Sequence, residues 1–111
     1  MNKPTDLEVN KKLAEYESDT QKTYKCIDGK IKFQDYIELK WHKTDREIYT
    51  ESLDAQIPIL EKLGVRDLRI AFRDLKEISL AWTPFNIFSD GETVQQASAH
   101  ALYYAILEDE K

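Results

Sequence analysis

Catalysis needs groups that attack, move protons or hold ions, and this sequence offers few of them. His42 stands beside Asp45 and Glu47, the one stretch where an imidazole and carboxylates fall close together. The segment His42-Lys43-Thr44-Asp45-Arg46-Glu47 reads as a turn, where such charges are ordinarily solvated. His100 lies near Tyr103 and Tyr104 on the outer side of a helical stretch and reads as a surface residue. Cys26 alternates with Tyr24 on the apolar side of a strand, where burial raises a thiol's pKa and blunts its reactivity. A single cysteine makes no internal disulfide, and with two well-separated histidines no metal-ligand spacing is visible. A Gly-rich phosphate loop, a paired-cysteine motif and a Gly-x-Ser-x-Gly elbow are all missing from the sequence. These residues point to a protein without catalytic residues, cofactor or metal.

Binding chemistry is better represented. Lys22, Lys25, Lys30, Lys32, Lys40 and Lys43 face only Asp28, Asp35 and Glu38 between positions 22 and 43, a basic stretch in a chain of net charge −5. With Tyr24, Tyr36 and Trp41 interleaved, Tyr24, Lys25, Lys30, Lys32 and Trp41 form a candidate set for gripping phosphates and stacking on bases. The same lysines would also serve on a solvated strand face that resists edge-to-edge pairing. A second candidate is the run Thr83 to Gly91, read as a loop. Its Phe85, Ile87 and Phe88 either fold back onto the core or, through Phe85 and Phe88, meet a partner. A third is a homodimer contact through His100, Tyr103 and Leu107 on the outer side of the last helix.

The elements that must position these residues follow from periodicity. Leu68, Ile70 and Phe72 alternate with polar or small residues, as do Ile78, Leu80 and Trp82, the period-two pattern of two half-buried strands. If both sets face one core, Phe72 sits opposite Ile78, the turn is Asp74-Leu75-Lys76, and Arg73 meets Glu77 on the outer face. Asp28-Gly29 predicts a two-residue hairpin turn. It places Tyr24, Cys26, Ile31 and Phe33 on one face and Lys25, Ile27, Lys30 and Lys32 on the other. Gln34 to Trp41 alternates in the same way and reads as a further strand or extended segment. Thr5 with Glu8 opens a helix over Asp6 to Tyr16, and Thr93 with Gln96 opens one reaching about Leu107.

Thr50 or Ser52 caps a middle helix carrying Leu53, Ile57, Leu60 and Leu63, which Gly64 can end in a left-handed conformation. Pro58 inside it implies either a kink or a start near Ala55. In the last helix Val94, Ala97, Ala101, Leu102 and Ala105 form a stripe that allows close approach to a sheet, while Gln96, His100, Tyr103 and Leu107 fall on the opposite side. The expectation is one α+β domain over residues 1–111, a small antiparallel sheet of four to five strands packed by three helices. No apolar run approaches the roughly 18 to 20 residues of a membrane span, and the N-terminus lacks a signal segment, so a cytoplasmic protein without membrane partners is expected.

The opening helix Thr5-Asp6-Leu7-Glu8-Val9-Asn10-Lys11-Lys12-Leu13-Ala14, the middle segment Tyr49 to Glu61 with its Asp-Ala-x-x-Pro-Ile pattern, and the alanine-rich Glu92 to Leu102 together resemble the NinX-like phage and prophage proteins, sometimes described as a phage αβα sandwich. The chain departs from that family in a shortened, lysine-rich region between Thr20 and Lys43. The resemblance implies a phage or prophage context and brings no catalytic residues. The reading it favours is a non-catalytic accessory protein that binds a host component of defence or replication, in the host cytoplasm. The alternative is nucleic-acid or nucleotide binding through residues 22–43.

Overall fold

The computed structural model describes residues 4–37, 39–64, 69–72, 77–82 and 85–110. The chain is a small α+β domain in which antiparallel strands pack against three helices. The order is α1 (Asp6–Glu17), β1 (Lys22–Ile27), β2 (Lys30–Asp35), β3 (Trp41–Glu47), α2 (Leu53–Lys62), β4 (Arg69–Phe72), β5 (Glu77–Trp82), β6 (Phe85–Asp90) and α3 (Val94–Asp109). The strands, expected as one sheet, form two three-stranded sheets, ordered β1-β2-β3 and β4-β5-β6, with α2 between them in the chain. The β1 strand packs on α1, α1 on α3, and α3 on β5 and β6, while α2 touches both other helices. Helices between two sheets make the molecule elongated, 45 × 27 × 26 Å.

Local chemistry sets the element ends. Thr5 Oγ1 accepts from the Glu8 N–H at 3.2 Å, and Ser52 rather than Thr50 caps α2 by accepting from Ala55 N–H at 3.2 Å. Thr93 accepts from Gln96 N–H at 3.0 Å, while Gln96 Oε1 reaches back to the Glu92 N–H at 2.6 Å. Asp28 and Gly29 take φ of 53° and 75°, the positive values a type I′ turn requires, and the register Tyr24↔Phe33, Lys25↔Lys32, Cys26↔Ile31 follows. Phe72 pairs with Ile78, as parity demands. The Asp74-Leu75-Lys76 turn and the partner Arg73 lie outside the described residues.

Several expectations need correction. The further strand does not occupy Gln34 to Trp41. Tyr36 and Ile37 are in a turn, Leu39 is left-handed (φ 54°), and β3 runs through the charged segment expected as a turn. Pairing to β2, as Phe33↔His42 and Gln34↔Trp41, supplies the backbone bonds that make polar residues extended regardless of propensity. Phe85 to Asp90 is likewise a strand, because it pairs with β5 from Trp82↔Phe85 to Glu77↔Asp90 and so adds a third strand to that sheet.

Pro58 sits inside α2, which begins at Leu53, so the late start near Ala55 is not adopted. The buried side of α2 is Ala55, Gln56 and Ile59, which leaves Leu53 and Ile57 substantially exposed. Finally, α3 has no outer face along most of its length. Ala97, Ser98, Ala99, His100, Ala101, Leu102, Ala105 and Ile106 are all buried, because α1 covers the side opposite the second sheet. The alanines do permit the expected close packing, and Gly91 belongs to it. A Cβ there would lie 2.8 Å from the Ala97 backbone nitrogen.

Candidate functional site

The β1–β3 sheet has two faces of opposite character. Its inner side, turned to α1, carries Tyr24, Cys26, Ile31, Phe33, His42 and Arg46. Arg46 donates from Nη1 and Nη2 to the two carboxylate oxygens of Glu17, both at 2.8 Å, and from Nη2 to the Ala55 carbonyl at 3.1 Å. Tyr49 OH donates to Glu17 as well, and the guanidinium lies 5.7 and 5.9 Å from the Tyr24 and Tyr49 ring centroids. Burial works against the charge of Arg46, but the hydrogen bonds and charge of Glu17 outweigh it and its pKa is raised. Burial, followed by the hydrogen bond to Glu17, drives the Tyr49 phenol far above its ordinary value. Even Lys22, at the margin of this face, sits 5.0 Å from the Phe33 ring centroid.

The outer side is a set of rows. Lys25 lies opposite Lys32, and Lys32 opposite Lys43, so three lysines occupy one cross-strand row. None of the three has a carboxylate partner among the described residues. The neighbouring row is Thr23, Gln34 and Trp41, and Lys25 Nζ reaches diagonally to 5.0 Å from the Trp41 ring centroid. Beyond a register shift the face ends in Lys30 paired with Glu47. Like charges directly opposite each other in a sheet are destabilising, so folding alone does not call for this row.

At one end of the sheet the β2–β3 connection projects Tyr36, Ile37 and Leu39, which are 77%, 88% and 72% exposed. Their backbone is fixed. Gln34 Nε2 donates to the Leu39 carbonyl at 2.7 Å, and Tyr36 N–H donates to the Gln21 carbonyl at 2.8 Å. A left-handed conformation costs a non-glycine residue roughly 1 to 2 kcal/mol. Leu39 therefore carries both strain and an unburied apolar side chain.

Comparison with protein-family models, with curated proteins and with solved structures finds no match. The site must be judged on its geometry.

Among the sequence candidates, Lys25, Lys32 and Trp41 come together on the outer face, and Lys43 joins them. Lys30 is on that face but engaged by Glu47, and Tyr24 points inward between Arg46 and Phe33. Phe85 and Phe88 belong to β6 rather than a loop. His100 is a correction: it is 2% exposed, with Nε2 2.7 Å from Asp6 Oδ1. Asp6 also receives Gln96 Nε2, so α1 closes over the side expected to be outer, leaving Tyr103 half-buried and Leu107 at 37%. His42 stacks on Phe33 with centroids 5.0 Å apart, and an Asp35 carboxylate oxygen lies 3.8 Å from its Nε2.

Cys26 is half-buried, and burial pushes its thiol up to about 11, the opposite of an activated nucleophile. It lines a pocket of about 400 Å³ between α1 and β1, shared with Leu7, Lys11, Ala14 and Tyr24. Among the described residues no group of histidines, cysteines and carboxylates could hold a metal ion, and no helix is long and apolar enough to cross a membrane. The feature the sequence reading missed is the Tyr36–Leu39 tip. Its alternation with Trp41 suits a buried strand equally well, and only the ladder registers locate the reversal.

Proposed function

We propose that this domain is a non-catalytic accessory protein of the phage or prophage type, working in the host cytoplasm by docking onto a host protein of the defence or replication machinery. The observation that carries the reading is the apolar tip: Tyr36, Ile37 and Leu39 project into solvent from a backbone held by hydrogen bonds. Large exposed apolar side chains are the residues whose burial yields most on association, about 25 cal/mol per Å² removed from water. A tip already fixed in position loses little conformational freedom when it docks. The resemblance of three segments to phage proteins without known chemistry points the same way. So does the surrounding of Cys26, where burial pushes the thiol up to about 11 and away from an activated nucleophile.

The test is affinity capture from host lysate by the wild-type domain and by an Ile37→Asp/Leu39→Asp double variant, with circular dichroism to verify that both are folded. One specific protein is expected with the wild type and at least tenfold less of it with the variant. Equal capture by both, or turnover of a substrate by the pure protein, overturns the proposal.

A further inference from the structure

We infer that the outer face of the β1–β3 sheet is a second binding site, built for single-stranded nucleic acid and separate from the apolar tip. Three observations converge on it. The register aligns Lys25, Lys32 and Lys43. With strands roughly 4.8 Å apart, the positions from which the three lysines project span roughly 10 Å, enough for a short run of phosphodiester backbone to lie across them. No described carboxylate neutralises the row, although the chain as a whole carries a net charge of −5. An anionic ligand would relieve the mutual repulsion that folding leaves in place.

The second observation is the adjacent row. Trp41 shares the face with the lysines, and Lys25 lies against its ring, so the indole is held at the edge of the cationic strip. Phosphates on one row and a base on the next is the arrangement by which proteins hold unpaired strands, since every base has a stacking face. The third is shape. A three-stranded face with side chains is too broad to enter a major groove of roughly 12 Å, and none of its base-reaching groups is on a helix. Unpaired bases can come to the sheet, whereas paired ones cannot. Gln34 contributes indirectly, because its bond to the Leu39 carbonyl fixes the chain just before Trp41.

Fluorescence anisotropy of labelled oligothymidylate and of a labelled hairpin duplex, at 50 and 200 mM NaCl, tests this. Three neutralised phosphates predict an affinity for the single strand that falls about 20-fold between the two salt concentrations. Lys32→Ala/Lys43→Ala, which removes like charges and should leave the fold intact, is expected to abolish most binding and flatten the salt dependence. Trp41→Ala is expected to weaken binding about tenfold, with Trp41→Phe recovering most of the loss. Ile37→Asp should leave nucleic-acid binding unchanged, so the tip and the face fail or succeed independently. The inference is overturned by absence of binding at 50 mM NaCl, by binding that survives the double lysine substitution, or by equal affinity for duplex and single strand with no dependence on Trp41.

Discussion

The two faces of the β1–β3 sheet are made from the same three strands and treat charge in opposite ways. On the inner side Arg46 is gripped by Glu17, Tyr49 and the Ala55 carbonyl, and Lys22 rests against Phe33. On the outer side Lys25, Lys32 and Lys43 stand opposite one another, and among the described residues Lys25 has the Trp41 ring beside it. Arg46 is within the packed body, where an unpaired ion would be untenable, so it comes with a full set of partners. Water solvates the outer lysines, so their arrangement is free to serve something other than folding. Charge that is paired marks what holds the domain together, and charge that is aligned but unpaired marks what the domain can offer to a ligand.

The largest effect should come from breaking the inner set. Arg46→Ala leaves the Glu17 carboxylate, whose side chain is 8% exposed, without its counter-ion, and unties the end of α1 from β3 and α2. A loss of about 3 to 5 kcal/mol is expected in urea unfolding, the range for removing one member of a buried pair. Lys25→Ala on the other face should change stability by less than about 0.5 kcal/mol. Similar losses for both would erase the distinction between the faces.

Intermediate in size is the response to alkaline pH, and it too belongs to the inner side. Tyr24, Cys26 and Tyr49 all have raised pKa values, each chiefly through burial. For a group that loses its charge on protonation, a raised folded pKa means the folded chain keeps a proton that the unfolded chain releases. Stability from this source is complete below the unfolded value and declines as pH rises through the folded one. The urea midpoint should therefore hold steady between pH 7 and 8 and fall progressively above about 9, the ordinary value of a thiol, toward the folded value of about 11 for Cys26. Cys26→Ala should delay the onset until the tyrosines begin to titrate in the unfolded chain, near pH 10. An unchanged onset in that variant would mean the thiol is solvated and the inner side less closed than the structure has it.

What could be read from the residues divides along the same line. Elements fixed by neighbours a few positions apart were legible: Thr5 with Glu8, Thr93 with Gln96, the Asp28-Gly29 turn and the parity that sets Phe72 against Ile78. Elements fixed by distant partners were not. The segment His42 to Glu47 is too charged to look like a strand, and it is extended because β2 offers it a ladder. His100 looks like a surface residue on its helix and is buried because Asp6, 94 positions away, closes over it. The basic face was half visible for the same reason. Lys25, Lys32 and Trp41 could be named as a set, but Lys43, counted in the basic stretch, joins them only through the position of β3, and Lys30 is discounted only once Glu47 is seen beside it.

The smallest effect has the opposite sign, and it tests the comparison most sharply. Lys43→Glu sets a carboxylate directly opposite Lys32 and converts a repulsive cross-strand pair into an attractive one. Each such change is worth roughly 0.2 to 1 kcal/mol, so the variant should be slightly more stable than the wild type in urea. The gain should shrink in 0.5 M NaCl, where exposed charges are screened over a few ångströms. If the same variant has lost affinity for an anionic strand, a residue that improves folding has damaged binding. That is the signature of a surface kept for a ligand at a small expense in stability. If instead Lys43→Glu is destabilising by more than about 1 kcal/mol, the Lys43 side chain is part of the packing, and the outer face is structural after all.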